Sequence, residues 1–116
     1  MKEEQMVSDT GAKRNTVGKI PYQYLPLDLL DGASYVMEMG AAKYGNQNFR
    51  LNFNPLDCFG SLIRHVATLK QAVEQDDIDG SKGFLLDSES GKSHVHHVIT
   101  STLILIQSMR AKGWKV

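Results

Sequence analysis

Asp87-Ser88-Glu89-Ser90-Gly91-Lys92-Ser93-His94-Val95-His96-His97 runs without a break into Val98-Ile99-Thr100-Ser101-Thr102-Leu103-Ile104-Leu105-Ile106-Gln107-Ser108-Met109. The first part carries two acids and three histidines, and the second is the most apolar stretch of the chain. Val95, Val98, Ile99, Thr102, Leu103, Ile104, Leu105, Ile106 and Met109 cover nearly the whole circumference of a helix. It is expected to start between Ser90 and Ser93 and to end near Lys112. A helix apolar all round is buried on all sides. Three helices in 116 residues cannot easily enclose their own central member. The expected fold is therefore all-α: three main helices and an extended N-terminal arm, with the helical bundle completed by oligomerisation, as a dimer or higher. Titratable groups at the mouth of a buried helix cost free energy unless paired or ligated, which makes this boundary the candidate site.

Upstream, residues 76 to 90 are polar and turn-rich. The acids Asp76, Asp77 and Asp79 follow a helix end, where negative charge is mildly unfavourable unless a cation offsets it. Their spacing does not make a calcium loop. The helix before them opens at Asn54-Pro55, an N-cap followed by proline at the first helical position, and is expected to reach about Gln75. Its apolar stripe is Leu56, Phe59, Leu62, Ile63, Val66, Leu69 and Val73. His65 lies at the stripe's edge, where a histidine bonded to a carbonyl is the ordinary reading, and Arg64 taken alone reads as surface.

Ala41-Ala42-Lys43-Tyr44-Gly45-Asn46-Gln47-Asn48-Phe49-Arg50 closes the first helix, with Gly45 and Asn46 suited to a left-handed cap. Its cations, rings and amides suit a nucleotide equally as well as an ordinary capped turn. That helix is expected from Pro26 or Leu27 to about Tyr44, with Leu29, Leu30, Ala33, Val36, Met37, Gly40 and Ala41 as its stripe. Gly32 and Gly40 weaken it or admit a close neighbour. Asp31 and Glu38 share another face, solvated or metal-binding. Ile20 to Pro26 is expected extended, because two prolines bound it. Residues 1–20 form the arm and 21–116 a single helical domain; the arm is either loose or folds over an anion through Lys13, Arg14 and Lys19.

Thirteen basic and thirteen acidic residues cancel, so the chain lacks the field that holds a polyanionic duplex, and nucleic acid is not the expected partner. A single cysteine, Cys58, excludes an intrachain disulfide and suits a reducing compartment. The first residues are charged and lack a signal-peptide pattern, and Leu103 to Ile106 is too short to span a bilayer. The expected location is cytoplasmic.

His94 and His97, three apart, share a face at the helix start, while His96 points elsewhere. Imidazoles beside Asp87 and Glu89 suit zinc, manganese or iron, whereas magnesium prefers the carboxylates. The helix start is also expected to offer free backbone N–H groups to a phosphate. No nucleophile elbow accompanies any serine, and thiol chemistry at Cys58 has no support.

The order of these pieces carries a resemblance. Thr10-Gly11-Ala12-x-Arg14, Gly18-Lys19 and Leu25-Pro26 precede Glu38-x-Gly40-Ala41-x-Lys43-Tyr44-Gly45-x-x-Asn48-Phe49; Arg64-His65 and Asp87-x-Glu89-Ser90-Gly91-x-x-His94-x-x-His97 follow. Over residues 9 to 109 this resembles the phage-encoded dATP/dGTP diphosphohydrolase (N-terminal domain) family, grouped with MazG-like nucleotide pyrophosphohydrolases. The resemblance implies metal-dependent hydrolysis of purine deoxynucleoside triphosphates to monophosphate and pyrophosphate, which edits a phage-infected cell's nucleotide pool. It implies His65, Glu89, His94 and His97 as catalytic residues and Glu38, Asp87 and Glu89 as metal ligands. Arg14, Lys19, Lys43, Tyr44, Asn48 and Arg64 become the nucleotide-binding residues. The implied cofactor is magnesium or manganese, with zinc or iron as alternatives. Phe49 stands where relatives often carry tryptophan, Ile78 to Leu86 reads as an insertion, and the first helix lacks a Glu-x-x-Glu pair. The alternative reading is a non-catalytic nucleotide-binding protein, a sponge for a signalling nucleotide.

Overall fold

The computed structural model describes residues 5–7, 11, 13–15 and 17–116. In the arm, a short strand β1 (Gln5–Val7) pairs antiparallel with β2 (Lys13–Asn15), Met6 opposite Arg14. A hairpin was not expected from so polar a segment. Thr10 and Ala12 of the resemblance lie outside the described residues. Ile20 to Pro26, expected extended, instead encloses a 3-10 turn at Tyr22–Tyr24. Pro21 begins that turn, its carbonyl accepting the Tyr24 N–H at 3.3 Å.

Beyond the arm the fold is all-α. The first helix starts as a 3-10 turn, Leu27–Leu30, and continues as α1 (Asp31–Tyr44). Gly45 caps it, and the left-handed residue is Gln47 rather than Asn46. Helix α2 (Pro55–Glu74) begins where Asn54-Pro55 directs, with the Asn54 side chain accepting the Leu56 N–H at 2.9 Å. Helix α3 (His94–Ala111) is capped by Ser93. α2 and α3 form the main packed pair, and α1 lies against α3.

Gly32 of α1 lies directly against α3. A Cβ placed there would collide with the imidazole of His96, so this glycine makes room for a ring of the neighbouring helix. Gly40 has open space around it. Gly32→Ala is expected to cost about 1–3 kcal/mol in denaturant unfolding, the ordinary penalty of overpacking. Gly40→Ala should instead stabilise by up to about 1 kcal/mol through helix propensity.

The chain leaves α2 by a left-handed residue, Asp76. The Asp76 N–H reaches the Val73 carbonyl at 3.2 Å and the Asp77 N–H reaches Ala72 at 2.9 Å, a Schellman closure. Asp77, read from sequence as an awkward acid at a helix end, is buried to 3 % exposure. Its carboxylate accepts the backbone N–H groups of Lys82, Phe84 and Leu85, each at 2.9 Å. Backbone donors offset its charge. The segment from Ile78 to Leu86 therefore closes on its own stem.

Burial opposes ionisation of Asp77, but those amides outweigh it and hold its pKa below the ordinary carboxylate value. The stability it supplies is complete above that ordinary value, near 3.8, and is lost as pH falls through the lower folded-state pKa. Asp77→Ala should lower Tm on the order of 10 °C at neutral pH by stranding three amides. The variant should also flatten the acid limb of Tm against pH.

Helix α2 turns a different face inward from the one its sequence suggested. Cys58, Ala72, Leu62, His65 and Leu69 are buried or half-buried, whereas Leu56, Phe59, Ile63, Val66 and Val73 are exposed, Leu56 to 75 %. Ala33, Cys58 and Ala72 are the buried apolar residues among those described. Thr100 and Ser108 are buried on α3 without cost, because their hydroxyls donate to the His97 and Leu105 carbonyls of the same helix. Leu103 of α3 remains 47 % exposed. A single chain thus leaves its most apolar helix only half covered.

Candidate functional site

Residues 86–93 form a tight excursion that presents the acids. Leu86 bridges Ser93, the Asp87 N–H reaches the Lys92 carbonyl and the Gly91 N–H reaches the Asp87 carbonyl, both at 2.8 Å. Gly91 makes the turn at φ +69°, where a side chain would be strained. Two contacts tie this excursion to α1. Lys43 pairs with Glu89, and the Lys92 ammonium lies 4.8 Å from the centroid of the Tyr35 ring.

Against it lies a histidine cluster drawn from two helices. His65 of α2 meets His94 of α3 through their Nδ1 atoms, 2.8 Å apart, so one ring donates and the other accepts. His97 stacks on His65 with centroids 4.6 Å apart and planes 13° from parallel. Its Nε2 lies 2.6 Å from the Ser90 hydroxyl and 3.6 Å from a carboxylate oxygen of Asp87. Asp87 also accepts the Ser90 N–H at 2.9 Å. One donor atom each from His65, Asp87 and His94 lies within 4.8 Å of the other two.

Burial, then the proximity of His97 and His94, lowers the His65 pKa. Burial also lowers that of His97 against the pull of Asp87. Both rings are therefore biased toward neutral imidazole, the form with a free lone pair. Burial opposes ionisation of Asp87, yet the Ser90 N–H and hydroxyl, with His97 and His94, bring its pKa below the ordinary value. The hydrogen bond from Lys43 to Glu89, with a lesser part from Tyr44, raises the lysine pKa. That pair is exposed and worth little to stability, so an anion can displace it at low cost.

These groups border a cavity of about 1360 Å³ between α1, the 45–54 connection, α2, the 87–90 turn and α3, larger than a typical small-molecule site. Of the residues singled out from sequence, Glu38, Lys43, Tyr44, Asn48, His65, Asp87, Glu89 and His97 line it. His94 does not line it but lies behind His65, in contact with that ring. Arg64 is exposed on α2 outside the lining, beside Gly60. Lys19 is exposed in the arm, and the Arg14 side chain lies outside what is described.

The α3 N-terminus does not offer the free amides expected of it. The Leu85 carbonyl takes the His94 N–H at 2.8 Å, the Ser93 hydroxyl takes Val95 at 3.2 Å and the Ser93 carbonyl takes His96 at 3.0 Å. Ser90 was missed as a site residue, although its place between an acid and a histidine was a usable signal. Phe49 and Phe53 also border the cavity, and Arg50 fixes their segment by donating to Gln107 of α3 at 3.0 Å.

An all-α chain that lines one cavity with a cation, aromatic rings, amides and a histidine–carboxylate cluster belongs to the class built to hold a charged, ring-bearing ligand. A family model described as dATP/dGTP diphosphohydrolase, N-terminal, matches residues 8–115. The chain belongs to that family. No curated protein and no solved structure matches it.

Proposed function

We propose that this protein hydrolyses purine deoxynucleoside triphosphates, dATP or dGTP, to the monophosphate and pyrophosphate with a divalent metal ion. Family membership supports the substrate class. The observation that carries the chemistry is the single cavity shared by Lys43, Tyr44, Asn48, His65, Asp87, Glu89 and His97. Lys43 lies beside Tyr44 and can exchange Glu89 for a phosphate, while the Tyr44 and Phe49 rings offer faces to a base and Asn48 an amide to its edge. His97, biased toward neutral imidazole, is suited to accept a proton from an attacking water, and His65, biased the same way, keeps a lone pair for an ion. A bound magnesium or manganese ion, or zinc or iron on the imidazoles, would polarise the phosphoryl oxygens and acidify that water. Asp87 and the histidines around it have the donor chemistry for such an ion, and Glu38 and Glu89 add carboxylates to the same cavity.

The partner we propose for the exposed side of α2 is a second copy of the chain. Leu56, Phe59, Ile63, Val66 and Val73 recur at helical spacing along one face, a self-complementary surface for a symmetric dimer or larger assembly. Among the described residues, no helix is long and apolar enough to cross a membrane. Action on the cytoplasmic nucleotide pool, the host's in a phage infection, fits the proposal.

Incubation with dGTP or dATP and manganese should release pyrophosphate and the deoxynucleoside monophosphate. No turnover with any nucleoside triphosphate would overturn the hydrolase reading, and tight binding of an intact nucleotide would make the protein a carrier or sponge.

A further inference from the structure

We infer that His65, Asp87 and His94 form a site for one first-row transition-metal ion, selective against magnesium and distinct in its ligands from Glu38 and Glu89. The inference deepens the hydrolase reading and rests on it only for the ion's role beside a nucleotide. Its grounds are geometric. Two imidazole nitrogens already lie 2.8 Å apart, and a carboxylate oxygen lies within 4.8 Å of both. Ligands at the usual 2.0–2.2 Å from a metal stand about 3.0–3.5 Å from one another, so the imidazoles need part only slightly. The remaining approach, from within 4.8 Å to that spacing, falls to the Asp87 carboxylate.

Two nitrogens and one oxygen on one side of an ion leave positions open for water or a phosphate oxygen, the pattern of a catalytic rather than a structural site. The surroundings supply what such ligands require. His97 stacks on the His65 ring and fixes its plane, while Ser90 links His97 to Asp87 through its hydroxyl and its N–H. Glu89 is engaged with Lys43, a pairing that suits it to respond to the nucleotide rather than to the ion. Imidazole ligation discriminates against magnesium, which prefers oxygen and gives up its waters reluctantly.

The test uses metal-stripped protein without nucleotide. Calorimetry should show one zinc or manganese ion bound per chain at least about 100-fold more tightly than magnesium. Cobalt(II) at the same site should give visible absorption bands of mixed nitrogen and oxygen ligation. His65→Ala and His94→Ala should each weaken uptake about 100-fold, whereas Glu38→Gln and Glu89→Gln should leave it within a few-fold. Anomalous scattering from wild-type crystals soaked in zinc gives a readout independent of whether the alanine variants fold: the ion should lie between His65 Nδ1 and His94 Nδ1. Magnesium bound as tightly as zinc, no uptake of any of these ions, or an ion located elsewhere would overturn the inference. The two readings fail separately. A metal at this site without pyrophosphate release would leave the site standing and sink the hydrolase. Pyrophosphate release with magnesium from a wild-type protein that takes up neither zinc nor manganese at this site would do the reverse.

Discussion

Asp87→Ala should reduce pyrophosphate release from dGTP on the order of 10³-fold or more, the largest loss expected of any single side chain in the cavity. Three roles meet in this carboxylate. It is the acid within reach of both His65 and His94, it lies 3.6 Å from His97, and it accepts the Ser90 N–H that shapes the turn. Asp87→Asn keeps most of the hydrogen bonding but removes the charge. It should therefore retain Tm and still lose most of the activity, which separates chemistry from folding. His97→Ala should cost less, on the order of 10²-fold, the low end for the loss of a general base. Steady-state kinetics with direct phosphate-product detection checks all three. An Asp87→Ala enzyme within a few-fold of wild type would show that the cluster has no part in turnover.

Ile63→Asp should reduce the proposed assembly of two or more copies to monomers and lower Tm at the same time. Ile63 sits midway along the exposed row on α2, with Phe59 and Val66 one turn to either side. Covering a side chain of this size is worth about 1.5–3 kcal/mol in each copy, and a two-fold axis places the new charge twice in one interface. An unpaired carboxylate in an apolar seam costs several kcal/mol more. Sedimentation at micromolar concentration should find wild type as a dimer or larger and the variant as a monomer. Tm should depend on protein concentration only for wild type. A monodisperse wild-type monomer would remove the second copy.

The parts of the fold legible in the sequence were those decided by neighbours in the chain. Asn54-Pro55 and Ser93 start their helices because a cap depends on a side chain reaching an amide two residues away. Gly32 was readable as a point of close approach, though not that His96 would fill it. The orientation of α2 was not legible. Leu62 and Leu69 face inward while Ile63 and Val66 face outward, and both rows are apolar. Choosing between them depends on what lies across each, which is tertiary information.

The site was legible in the same uneven way. Asp87 and His97 are ten residues apart and share a loop-to-helix boundary, so their approach could be anticipated. His65 joins them from another helix, and only the resemblance raised it above a core-edge histidine. Arg64 shows why adjacency misleads. Successive helical residues point about 100° apart, so a residue next to His65 need not share its direction. Asp77 was least legible, because its three amide partners lie five to eight residues away in a loop without periodicity.

That carboxylate has an evolutionary consequence. A stretch of backbone gathered at its base around one buried acid delivers the chain to Leu85 at a fixed place, whatever length intervenes beyond the knot. Descendants could lengthen or trim the tip, or graft a recognition element there, and the downstream turn with its histidines would keep its footing.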